Sequence, residues 1–226
     1  MKILVIADIH GKFEILQKIM DAVAKEEFDI VVCPGDFTDM FDIPTNFSQL
    51  DVADIVIQKL MIPNKPLFCI PGNHDPYEIL EVFDDYGVGL HGRTRKTGDY
   101  TLAGWGGAIT PFNTLFEPSE EETRESLAKM LKDVAGKLIL IVHSPPKDTS
   151  LDMIKPKKHV GSAAIREEIL RKKPALTICA HIHENSGTDR IGGTTVFYPG
   201  PAYSGYYGIA EIDDKKVECH IKKANL

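Results

Sequence analysis

The sequence predicts an α/β protein whose strands are buried on both faces. Five short apolar runs rich in Val and Ile recur along the chain, and none alternates with polar residues. Apolar runs of about 4–8 residues without alternation mark strands covered on both sides. Segments with helical apolar spacing lie between them, and strands alternating with helices indicate an α/β sheet.

The elements follow in chain order. The first run is KILVIA and ends at Asp8-Ile9-His10; Lys12–Glu27 then carries Phe13, Leu16, Ile19, Met20 and Val23 at helical spacing. The second run ends at Gly35-Asp36, and Asp51–Leu60 reads as a helix. The third ends at Gly72-Asn73-His74-Asp75. A glycine-rich section, Tyr86–Thr114, reads as short strands and turns and precedes a helix over Glu120–Val134. The fourth run ends at His143. It is followed by the longest irregular piece, Pro145–His159, and by a helix over Ser162–Arg171 that Ser162 can cap. The fifth ends at His181-Ile182-His183. Thr194–Tyr198, Tyr207–Ile212 and Val217–Ile221 are strand-like, with a turn at Asp213–Lys216, so a second, mixed or antiparallel sheet is expected at this end.

The chain has 226 residues, 43% hydrophobic and 26% charged, which excludes a disordered or fibrous protein. Its formal charge of −7 argues against broad affinity for nucleic acid or anionic membrane. Cys33, Cys69 and Cys179 sit in apolar runs without a CxxC pair, which reads as buried free thiols in a reducing compartment. The N-terminal apolar stretch stops at Asp8, too short for a signal peptide, and no stretch approaches the ~20 apolar residues of a membrane span. A soluble, cytoplasmic protein is expected.

In open α/β sheets, ligands gather beyond the carboxyl ends of the strands. Collected from those ends, Asp8, His10, Asp36, Asn73, His143, His181 and His183 would converge on one rim. The set mixes imidazole nitrogen with carboxylate and amide oxygen and has no thiolate, which suits Mn²⁺, Fe²⁺, Zn²⁺, Co²⁺ or Ni²⁺. Seven protein ligands are too many for one ion and about right for two. Singly, each residue has a plainer reading. Asp8 or Asp36 could cap a helix, Asn73 could serve a turn, and a strand-end His is commonly a structural hydrogen-bonding group. Seven such coincidences account for the set less well than one site does.

In the order Asp8-x-His10, Gly35-Asp36-x-x-Asp39, Gly72-Asn73-His74-Asp75, His143 and His181-x-His183, these residues resemble the five motifs of the calcineurin-like metallophosphoesterase superfamily. With Trp105-Gly106-Gly107, the chain is similar to its small prokaryotic branch. The resemblance implies a four-layer α/β/β/α sandwich of two mixed β-sheets flanked by helices. It implies a phosphoesterase, foremost a phosphodiesterase, that uses two divalent ions, Mn²⁺ first among them, with a bridging hydroxide as nucleophile. Asp8, His10, Asp36 and His183 would hold one ion, and Asp36, Asn73, His143 and His181 the other. His74 would face the phosphate as general acid, with Asp39 and Asp75 orienting ligands or His74. Two departures stand out. Ala180 replaces the Gly that usually opens the last motif, and Tyr198-Pro199-Gly200-Pro201 replaces an Asn-Pro-Gly-Ser turn.

Outside the motifs, Pro145–His159 could overhang the metals, with His159 contacting substrate beside Lys155, Lys157 and Lys158. Trp105 reads as packing, and His91 and His220 as structural or exposed. Because the motifs span residues 8 to 183, a single domain over residues 1–226 is expected. The substrate should be a small phosphoester, without membrane or nucleic-acid partners, and a homodimer is compatible with the resemblance. A repair-type nuclease of the same superfamily and a non-catalytic scaffold on this fold are the competing readings. The acidic charge weighs against the first and the full set of motif residues against the second.

Overall fold

The structure is a computed structural model describing all residues, Met1–Leu226. β1 (Lys2–Val5) leads to α1 (Phe13–Val23), β2 (Ile30–Cys33), α2 (Gln49–Leu60), β3 (Leu67–Cys69) and α3 (Ile79–Asp85). Next come β4 (Arg93–Thr97), β5 (Tyr100–Trp105), α4 (Glu120–Met130) and β6 (Lys137–Val142). A two-stranded hairpin, β7 (Met153–Ile154) and β8 (Lys158–His159), precedes α5 (Ala163–Lys172) and β9 (Leu176–Ile178). The chain ends with β10 (Gly187–Ile191), β11 (Thr194–Tyr198), β12 (Tyr206–Ile212) and β13 (Val217–Lys223).

Two mixed sheets result. One has the order β13-β12-β1-β2-β3, with β1, β2 and β3 parallel and β12 antiparallel to β1. The other has the order β10-β11-β9-β6-β5-β4, with its four central strands parallel and both edges antiparallel. The C-terminal strands therefore form no sheet of their own, contrary to the sequence expectation. β10 and β11 extend one sheet, while β12 and β13 extend the other. Strand pairing over long sequence separations, which periodicity does not encode, makes that division.

Three cores separate the layers. Alternate residues of β1 and β2 (Ile3, Val5, Ile30, Val32) meet Leu102, Ile139, Ile141 and Ile178 of the opposite sheet. The other residues of the same strands (Leu4, Val31, Cys33) pack against Leu16, Ile19 and Val23 of α1 and Val52, Val56 and Leu60 of α2. On the far side Leu138, Leu140 and Val142 meet Leu127 of α4 and Ile165 and Ile169 of α5. The arrangement is the four-layer α/β/β/α sandwich, and it explains the missing alternation, since each central strand is apolar on both faces. Burying a side chain such as Ile19 contributes about 1.5–3 kcal/mol.

Helix ends follow local chemistry. Ser48 accepts from the Asp51 amide, and Asp51 returns the bond, opening α2; Ser119 and Ser162 cap α4 and α5 in the same way with one bond each. α1 stops at Val23 and α4 at Met130, both short of the spans their spacing predicts. α3 has no counterpart in the sequence expectation; it is only seven residues long. No helix is long and apolar enough to cross a membrane. Cys33, Cys69 and Cys179 are buried free thiols, and burial raises their pKa.

Candidate metal centre

The carboxyl ends of β1, β2 and β3 in one sheet, and of β6 and β9 in the other, open onto the same rim. Asp8 and His10 follow β1, Asp36 follows β2, and Asn73 and His74 follow β3. His143 follows β6, and His181 and His183 follow β9. The turns that carry them are tightly drawn. Asp8, His10, Asp36 and His181 all have positive φ, between 49° and 78°. Such backbone is costly for side chains other than Gly and concentrates at functional sites. Gly72 permits the closest approach, because a Cβ there would stand 2.1 Å from Oδ1 of Asp36.

Ligand-type atoms of Asp8, His10, Asp36 and His183 all lie within 4.8 Å of one another, as do those of Asp36, His143 and His181. Asp36 belongs to both groups. Its Oδ1 accepts from the His74 amide at 2.9 Å, and its Oδ2 lies 3.4 Å from Nε2 of both His10 and His143. The Asn73 amide oxygen completes the second group, 3.0 Å from Nε2 of His143. The structure thus brings all seven predicted residues together.

These residues fit divalent cations. Oδ2 of Asp36 and Nδ1 of His10 are buried without a hydrogen-bond partner. Nε2 of His10 and Nε2 of His183 converge to 3.4 Å. A cation among them would satisfy the buried unpaired atoms and the facing imidazole nitrogens. His143 bonds the Pro34 carbonyl through Nδ1 at 2.8 Å, so Nδ1 carries a proton and Nε2 faces the site.

The electrostatics agree. Burial opposes ionisation of Asp36, but His143 and His10 outweigh it and hold the carboxyl well below its usual range. Burial disfavours charge on His143 as well, but Asp36 and Asp8 raise it to about 9. Burial and the neighbouring His143 depress His181 to about 3.

Around this centre, Nδ1 of His74 meets Oδ1 of Asp39 at 3.2 Å. Asp75, expected to orient ligands or His74, acts on the backbone of the loops that carry Asp36 and Asn73. Its buried carboxylate accepts from the amides of Gly72, Phe37 and Thr38 at 2.8–3.2 Å, tying the loop after β2 to the loop after β3. Burial and Asp36 raise its pKa to about 6. Asp75 therefore positions backbone and does not touch the ring of His74.

His159 is also displaced from its expected role. Its Nδ1 bonds Asp152 at 2.7 Å, and Lys155 of the same hairpin reaches the cleft instead. Pro145–His159 is irregular as far as Thr149 and then forms a short 3-10 turn and the β7–β8 hairpin. Asp152 organises it by accepting from the amides of Asp148, Thr149 and Gly161. Trp105 is buried, stacks on His91 with centroids 4.4 Å apart and donates to Thr123, as packing requires. His220 lies exposed on β13.

Sequence reasoning missed Tyr198. Its buried phenol donates to Oδ2 of Asp8 at 2.5 Å. The departure from the family turn at residue 198 pointed there, but only the packing of the sheets shows the partner. Ala180, the other departure, is buried, and its amide donates to the His143 carbonyl at 3.0 Å.

Five strand ends from two sheets, converging on one Asp between two clusters of imidazoles, define a metal-dependent phosphoesterase of the calcineurin-like class. Residues 1–185 match the calcineurin-like phosphoesterases, and the chain belongs to that family. It is 31% identical over 208 residues to an uncharacterized protein of Methanocaldococcus jannaschii, covering 89% of this chain and 88% of that one. Its fold is similar to that of the protein TT1561 of Thermus thermophilus, at TM-score 0.72 and 20% identity over 97% of both chains. It is also similar to a putative 5′-nucleotidase from Staphylococcus aureus, at TM-score 0.63 and 16% identity, over 99% of this chain and 54% of that one.

Proposed function

We propose that the protein hydrolyses phosphodiesters in preference to phosphomonoesters at a two-metal centre. The observation that carries this reading is the position of Asp36, whose Oδ2 lies 3.4 Å from an imidazole of each cluster. Asp8, His10, Asp36 and His183 would hold one ion. Asp36, Asn73, His143 and His181 would hold the other. Two divalent ions, with Mn²⁺ the first choice, would activate water near neutral pH and neutralise phosphate oxygens.

The chain's own residues complete the chemistry. His74 lines the cleft beside Asn73 and donates a proton to the leaving oxygen. Asp39 holds Nδ1 of that ring and fixes its orientation. Tyr198 and the Pro34 carbonyl hold Asp8 and His143 in place. The cleft, about 440 Å³ and lined in part by the loop after β5 and the β7–β8 hairpin, has room for a second ester group. That room supports a diester over a monoester.

The test is turnover of bis(p-nitrophenyl) phosphate and p-nitrophenyl phosphate after chelation and readdition of single divalent ions. Faster diester hydrolysis with Mn²⁺ is expected. No turnover with any ion would count against the reading.

A further inference from the structure

The cleft of about 440 Å³ beside Asp36, His74 and His183 has one wall that neither metal binding nor folding uses. Ile109, Pro111, Phe112, Ile154 and Val160 line it from two separate segments, the loop after β5 and the hairpin that carries Ile154. Ile109 and Phe112 are 51% and 73% exposed, and neither belongs to a hydrophobic core. Large exposed apolar side chains grouped at a polar cleft mark a binding surface.

Both segments are built. Glu117 accepts from the Thr110 hydroxyl and the Thr114 amide, each at 2.7 Å. The amides of Leu115 and Phe116 then donate to the carbonyl of Asn73, fastening this loop to the metal centre. In the second segment, the Asp152 cluster fixes the hairpin that carries Ile154, and Asn185 donates to the carbonyl of Met153. The apolar wall is thus held in register with the clustered ligands. Beyond those ligands and His74, the charges lining the cleft are Lys155 and Glu184, which are opposite in sign. No net fixed charge on that side calls for a second anionic group.

We infer that this wall is a substrate subsite for an uncharged, flat organic group, aryl or nucleoside, on one arm of the phosphodiester, with Phe112 as its main contact. The inference rests on the proposed phosphodiesterase reading and names the substrate class within it.

The experiment compares kcat/KM for phenyl p-nitrophenyl phosphate, thymidine 5′-(p-nitrophenyl phosphate) and methyl p-nitrophenyl phosphate in the native protein and in Phe112→Ser. Intrinsic reactivity cancels between the two proteins. The phenyl-to-methyl ratio should fall about 3–10-fold in the variant, the size of one aromatic contact. A parallel fall for the thymidine ester would identify the flat group as a nucleoside as well as an aryl ring; a fall for the phenyl ester alone supports an aryl subsite. Equal ratios in both proteins would overturn the inference. If neither protein turns over any ester, the phosphodiesterase reading fails and calorimetry decides the subsite. Phenyl methylphosphonate should then bind the native protein about 3–10-fold more tightly than methyl methylphosphonate, and equal affinities would overturn the inference.

Discussion

The phenol of Tyr198, at the end of β11, donates a 2.5 Å hydrogen bond to Oδ2 of Asp8, which follows β1. The two residues belong to different sheets, so the bond joins the sheets at the metal centre. The Asp8 carbonyl also accepts from the Tyr203 amide at 3.2 Å, which fastens it to the turn between β11 and β12.

Tyr198→Phe should therefore leave a buried carboxylate oxygen without its donor. A loss of about 1–3 kcal/mol in stability is expected in chelated protein. Mn²⁺ affinity should weaken about 10–100-fold, as when a residue that orients a ligand is removed. Urea unfolding and metal titration measure the two effects. Unchanged metal affinity would show that Tyr198 only packs.

His74→Ala should lower kcat for bis(p-nitrophenyl) phosphate about 10²–10⁴-fold while metal content, measured by mass spectrometry, stays at the native level. Asp39→Asn, which weakens the hold on the ring at Nδ1, should cost about tenfold. A His74 variant with native kcat would remove the general acid from the mechanism.

Gly72→Ala sets a methyl group against the Asp36 carboxylate, 2.1 Å from Oδ1 and 2.2 Å from the Asp36 amide. Because the obstacle includes backbone, relief requires the β2 loop to move. A stability loss of about 1–3 kcal/mol is expected, with metal binding lost alongside. Denaturation with and without Mn²⁺ checks both, and a variant that still gains stability from Mn²⁺ would contradict the prediction.

His91 carries the clearest pH dependence outside the metal centre. The Gly106 amide donates to its Nδ1 at 2.9 Å, so that nitrogen must stay unprotonated. Burial, then Arg93, lowers its pKa from 6.5 to about 4. A depressed folded-state pKa means that the stabilisation is intact above 6.5 and is lost as the pH falls towards 4. The loss should approach about 3 kcal/mol. His91→Gln keeps an acceptor for Gly106 without a titrating group, so its stability should fall less between pH 6.5 and 4. Parallel curves for the two proteins in urea denaturation would refute this.

Much of the site was legible because its residues stand at the ends of strands whose apolar runs are visible. Asp36 and His143 could be named from the chain because each directly follows such a run. Asp75 and His159 could not be placed, because a carboxylate or imidazole beside a motif reads the same whether it faces substrate or backbone. Only the folded loops show that Asp75 takes up three amides and that His159 meets Asp152.

The sequence by itself determined the α/β class, the seven ligand-type residues and their family. Hydrophobic periodicity and motif spacing are local properties, written in consecutive residues. Tertiary structure alone decided that Asp36 stands between both imidazole clusters, that Tyr198 holds Asp8, and that β12 and β13 join β1 and not β11. It also put Phe112 and Ile154 in the lining of one cleft. Each of these joins residues far apart in the chain, and only the packing of two sheets against one another brings them within contact.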